Sequence, residues 1–171
     1  LNLVDGYGRK GDFEQANALI AILENKQPDC IRQALLIKYK AMLAFYAGDR
    51  DNLNAQLEAF QKLESTLPRN VRDSVMTSLM LQKYVLENNR EQADGICDRL
   101  IQDKLPMNKV VGHYYKGLLL EQNGEKTCEQ HYRYVVEHGN DLHIAKLAAL
   151  KLGVPQQIQY KTKKYIGFKI F

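Results

Sequence analysis

Residues 6–28 read GYGRKGDFEQANALIAILENKQP, and two incompatible folds can be drawn from them. Gly6, Gly8 and Gly11 match G-x-G-x-x-G, the fingerprint of a dinucleotide-binding βαβ unit. That unit needs a strand before its first glycine and an acidic residue at the end of a second strand. Only Leu1, Asn2, Leu3, Val4 and Asp5 precede Gly6, and the segments that follow have the period of a helix. In the other reading Gly11-Asp12 is a turn, and Phe13, Ala16, Ile20 and Leu23 form one stripe of the helix after it. The rest of the chain decides between them, because the second pattern recurs.

Helical periodicity marks 12–26, 29–47, 51–65, 71–87, 90–103, 108–122, 126–138 and 141–151. Gly11-Asp12, Gly48-Asp49, Asn88-Asn89 and Gly124-Glu125 each put a residue tolerant of the left-handed conformation at a helix end, followed by a polar residue able to start the next helix. Asn89 with Gln92 reads as a variant capping box. After each turn comes the same i, i+4, i+7 triad: Ala16, Ile20, Leu23; Leu53, Leu57, Phe60; Ala93, Cys97, Leu100; Cys128, Tyr132, Val135. Their first members are 37, 40 and 35 residues apart, the spacing of a helical-hairpin repeat. The expected fold is therefore all-α, and the three glycines are helix-end and turn residues.

The quoted stretch resembles the second half of a tetratricopeptide repeat (TPR). Tyr7 matches the aromatic late in the first helix, Gly11-Asp12 the turn, Ala16 the small residue at the helix crossing, Ile20 and Leu23 the next core positions, and Pro28 the closing proline. KAMLAFYAGDRDNLNAQLEAF (40–60) is similar, with Ala41 and Ala44 at close-packing positions. MLQKYVLENNREQADGICDRL (80–100) follows with Tyr84 and Ala93, and YYKGLLLEQNGEKTCEQHYRYVV (114–136) with Gly117 in register. The chain departs from the family in a period above 34, in Leu53 where a small residue is the rule, and in lacking the aromatic that opens each repeat. The resemblance implies a TPR-like α-solenoid of about four helical hairpins, the first truncated, with a closing helix at Asp141–Leu152. Residues 1–152 would form the repeat domain and 153–171 an extended basic tail.

Composition narrows the function classes. Hydrophobic content of 45% and charged content of 26%, with no tryptophan, fit a soluble helical domain. Six lysines and no acid follow Asp141, so the net charge of +4 leaves −2 on residues 1–141. Cys30, Cys97 and Cys128 are too few and too scattered for a disulfide framework and suit a reducing compartment. No apolar run approaches the ~18–20 residues of a membrane span. We expect a bacterial-style cytoplasmic protein. The chain begins with Leu1, so a native N-terminus carrying an anchor is a further expectation, which would make this the soluble part of a membrane-anchored protein.

Cys128, His131, His138 and His143 form one cluster of metal-type residues, but C-x2-H without a second pair is not a zinc spacing. Carboxylates such as Glu87 and Glu91 read as solvated helix faces, and no serine or cysteine has a nucleophile motif. We expect neither enzyme activity nor cofactor nor metal; a metal-dependent enzyme using the 128–143 cluster is the rival from another class.

The resemblance implies instead that first helices line a concave peptide-binding groove. Its register places Leu35, Lys38, Met42, Phe45 and Tyr46 there, then Val75, Ser78, Gln82 and Val85, then Val111, Tyr114 and Leu118. The carboxylate clamp of some TPR proteins is absent, since Lys38 and Met42, then Leu79 and Val75, hold the matching positions. Such a groove suits an apolar peptide or protein segment. A small secretion-type chaperone and a self-assembling scaffold are alternatives. In the tail, QIQYKTKKYIGFKIF (157–171), apolar Ile158, Tyr160, Ile166, Phe168 and Ile170 alternate with lysines, which argues for an extended segment. It would cover a groove of its own or a neighbouring chain, giving a homo-oligomer, or contact a membrane surface; nucleic acid is the least favoured target.

Overall fold

Four turns repeat one piece of backbone chemistry. The amides of Asp12, Asp49, Asn89 and Glu125 donate to the carbonyls of Tyr7, Ala44, Tyr84 and Leu120 at 2.8–2.9 Å, each five residues back. This is the bond that closes a helix over a left-handed residue. Gly11, Gly48, Asn88 and Gly124 supply that residue, with φ of 82°, 69°, 53° and 73°. The next helix then starts on a side-chain cap: Asp12 accepts from the Gln15 amide, Asp49 from Asn52 and Asn89 from Gln92. The fourth turn differs. Glu125 pairs with Arg90 of the preceding hairpin, and the next helix begins only at Cys128.

The computed structural model describes residues 2–156, and over them the chain is all-helical. The helices are α1 (Asn2–Lys10), α2 (Phe13–Glu24), α3 (Cys30–Ala47), α4 (Arg50–Gln61), α5 (Arg69–Leu86), α6 (Arg90–Gln102), α7 (Pro106–Gln122), α8 (Cys128–His138) and α9 (His143–Leu152). The segment expected to be extended, 157–171, lies outside the described residues. Among the described residues no helix is long and apolar enough to cross a membrane, and the three cysteines are free. The segment expected as one helix over 51–65 stops at Gln61. A short 3-10 turn at Glu64–Thr66 follows, in which the Thr66 hydroxyl donates to the Leu63 carbonyl. The closing helix starts at His143, two residues later than expected.

Gly6 and Gly8 sit inside α1 and Gly11 in the turn after it, with no strand before them among the described residues. Consecutive helices pack as hairpins α1–α2, α3–α4, α5–α6 and α7–α8, and α6 also packs closely on α7 and α8 on α9. Of the triads on the second helices, Ala16, Ile20, Leu53, Leu57, Phe60, Ala93, Cys97, Tyr132 and Val135 are buried, whereas Leu23, Leu100 and Cys128 are only half-buried. Helices two apart in the chain then touch in sequence, α1 to α3, α3 to α5, α5 to α7 and α7 to α9, and α9 returns to α1. Five inner helices thus close a cycle, with α2, α4, α6 and α8 outside it.

The core is divided among these joints. One cluster runs from Phe45 through Leu81, Val110, Tyr115 and Tyr132 to Ala145 and Ala148. A second, including Ala41, Leu53, Phe60, Val75 and Leu79, joins α3, α4 and α5. A third, of Val4, Ile20, Leu36 and Tyr39, fixes α1 and α2 on α3.

Candidate functional site: a central cavity inside the helical cycle

All five inner helices turn side chains toward one cavity of about 440 Å³. Helical spacing explains the lining. On α3, Lys38, Met42 and Tyr46 are four apart; on α5, Ser74, Ser78 and Gln82; on α7, Met107, Val111 and Tyr115. Ile144 and Leu142 complete the wall from α9 and the loop before it, and Asp5 and Arg9 from α1. Met42 can lean on α1 because residue 8 is glycine; a Cβ there would collide with the methionine methyl.

The floor is apolar and aromatic. Tyr115 is buried and meets Phe45 edge to face at 5.2 Å, and Phe45 meets Tyr46 at 5.5 Å. Burial pushes both hydroxyls, of Tyr46 and Tyr115, well above the ordinary tyrosine value. Gln82 is buried on the wall beside the Tyr115 hydroxyl, and its Oε1 has no hydrogen-bond partner among the described residues.

The acids are already engaged. Asp5 accepts from Arg9 at 2.7 Å, and Asp73 lies 3.5 Å from Arg69 and 3.7 Å from Arg72. Asp103 accepts from the Leu105 amide and the Asn108 side chain, and these bonds hold its carboxyl below the usual range. Lys38 has no ion pair among the described residues; burial, then the Arg9 charge, lowers its pKa. Burial, then Asp5, pushes Tyr39 up to about 12.

Of the expected groove residues, Lys38, Met42, Tyr46, Ser78, Gln82 and Val111 line this cavity. The other six do not. Phe45, Val85 and Tyr114 are buried in the largest core cluster, with Leu118 packed on its edge. Val75 is fully buried between α3, α4 and α5, and Leu35 packs where α3 meets its neighbours. On α7 the stripe facing the cavity is 107, 111 and 115, whereas the family register pointed to 111, 114 and 118. The step from 111 to 114 turns the stripe off the cavity and into the core. The contributions of α1, of Met107 and of Leu142 with Ile144 were not anticipated. Nothing local in the sequence tells that the last helix returns to the first.

The His/Cys cluster expected over 128–143 is dispersed. His131 meets His113 of α7, Nδ1 to Nδ1 at 3.0 Å, and His113 stacks on Tyr134 at 3.9 Å. Burial and then the neighbouring histidines push His113 down to about 4. His138 stacks on the other side of Tyr134 at 4.1 Å. His143 is elsewhere, edge-on to Phe13 and Tyr46, each 4.9 Å away. Among the described residues no three His, Cys, Asp or Glu side chains gather as metal ligands would.

Comparison with protein-family models, with curated proteins and with solved structures gave no match for this chain.

Proposed function

We propose that this chain is a non-enzymatic recognition module. It is a TPR-like array of helical hairpins, an α-solenoid curled until its ends meet, that holds an apolar segment of a protein partner in its central cavity. The observation that carries the reading is the convergence of Met42, Tyr46, Leu81, Val111, Tyr115 and Ile144, from four helices, on one space. Its 440 Å³ falls in the size range of ligand pockets. It is roughly three times the ~150 Å³ hole that takes up benzene, so one or two large side chains fit and a whole helix does not. Rim acids bonded to the chain's own donors favour binding over acid–base work. The free cysteines support a reducing compartment such as the cytoplasm.

The chain has no tryptophan, so the emission of a peptide's indole reports on binding without background. Peptides bearing one tryptophan within an apolar stretch should bind saturably. Met42→Glu with Val111→Glu should weaken them at least tenfold while the circular dichroism stays unchanged. No saturable binding across such a set, or affinity indifferent to both substitutions, refutes the reading.

A further inference from the structure

A ring of helices poses a problem that an open groove does not. An internal segment of a partner cannot reach the centre from the side unless one joint parts. The five joints differ in what holds them. Buried clusters span α3–α5, α5–α7 and α7–α9, and the small cluster of Val4, Leu36 and Tyr39 spans α1–α3. Among the described residues no cluster contains residues of both the first hairpin and α9.

That seam is held instead by exposed polar contacts and by half-buried rings. Lys10 pairs with Asp141 at 3.2 Å, with side chains 63% and 52% exposed, a class of ion pair that contributes little. Lys146 donates to the Lys10 carbonyl at 3.2 Å. The His143 ring rests against Phe13 and Tyr46 and over Gly11, where a Cβ would overlap it. Asp5 and Arg9 on one side of the seam, and Leu142 and Ile144 on the other, both line the cavity.

We propose that the α1–α9 seam is the gate of the central cavity, with α1 and α2 parting from α9 to admit the one or two large side chains of the bound segment and closing on them. The inference rests on the recognition reading above for what enters, but the opening itself does not. Four joints with shared cores keep the frame while the fifth opens, a subglobal motion of the kind that amide exchange detects.

Two measurements on the full chain test it. In hydrogen exchange without ligand, amides of α1 and α2 should exchange through an opening at least tenfold more populated than the one that frees α7. Lys10→Ala with Lys146→Ala should raise that population further while α7 stays unchanged. Exchange of α1 and α2 only together with α7 overturns the gate. In the second, Lys10→Cys and Asp141→Cys are bridged by a flexible bismaleimide, with Cys30 and Cys128 replaced by serine. The bridge should slow the association of 8-anilinonaphthalene-1-sulfonate and of the tryptophan peptides at least tenfold relative to the unbridged pair. Unchanged association overturns the gate and leaves the recognition reading standing. If exchange shows the opening but neither probe binds bridged or unbridged protein, the recognition reading falls and the moving seam remains.

Discussion

Replacing Gly117 with alanine asks how closely α7 and α8 cross. A mid-helix alanine ordinarily stabilises by up to about 1 kcal/mol relative to glycine. At Gly117 the added Cβ would lie 2.7 Å from Tyr132 Cε1 and 2.9 Å from Cδ1. The ring has nowhere to go: Tyr132 is 1% exposed, its hydroxyl donates to Glu121 at 2.9 Å, and Lys151 lies over its face. Overpacking of that kind costs about 1–3 kcal/mol, so the net expectation runs from no gain to a loss of about 2 kcal/mol once the helix gain is set against it. Gly95, mid-way along α6 and exposed, has nothing within 4 Å of its built Cβ. Gly95→Ala should therefore show the helix gain alone. Urea unfolding followed by circular dichroism gives both values. In a Tyr132→Leu background the penalty at Gly117 should disappear, which a double-mutant cycle resolves. If Gly117→Ala stabilises as much as Gly95→Ala, the close crossing of α7 and α8 is refuted.

Two further outcomes are expected. Phe45→Glu should unfold the chain, since Phe45 is 7% exposed and a carboxylate there would be buried among Leu81, Val85 and Tyr115; a cooperative thermal transition near that of the parent would contradict the core assignment. Folding also holds His113 neutral, its pKa lowered from 6.5 to about 4. Protonation therefore favours the unfolded chain: the His113 contribution is complete above about pH 6.5 and is lost as pH falls from there toward 4. His113→Phe keeps the stack on Tyr134 and should flatten the stability profile across that window, as read from unfolding midpoints; an unchanged slope would mean His113 is solvated.

The sequence pattern carried the helices further than the cavity, and for a physical reason. Turn chemistry is local: Gly48-Asp49 needs only its neighbours to close one helix and cap the next, so it reads correctly in isolation. The inward triads are likewise set by 3.6-residue geometry. The cavity is not local. On an inner helix an apolar residue can face the adjoining hairpin or the centre, and periodicity does not separate the two. Val111 and Tyr114 look equivalent as a stripe, yet one lines the cavity and the other lies in the core. Glu125 shows the same limit on a smaller scale: a residue suited to starting a helix was taken by Arg90, 35 residues away. The helix expected over 51–65 overran because Leu63 keeps the apolar spacing, although the chain leaves the helix at Gln61.

Closure also changes what the repeat can do. A linear stack of hairpins can gain or lose a member at either end, and its terminal units fray independently. Among the described residues α9 comes back to α1, so each of the five inner helices has an inner neighbour on both sides, and a strain introduced at one joint is shared round the cycle.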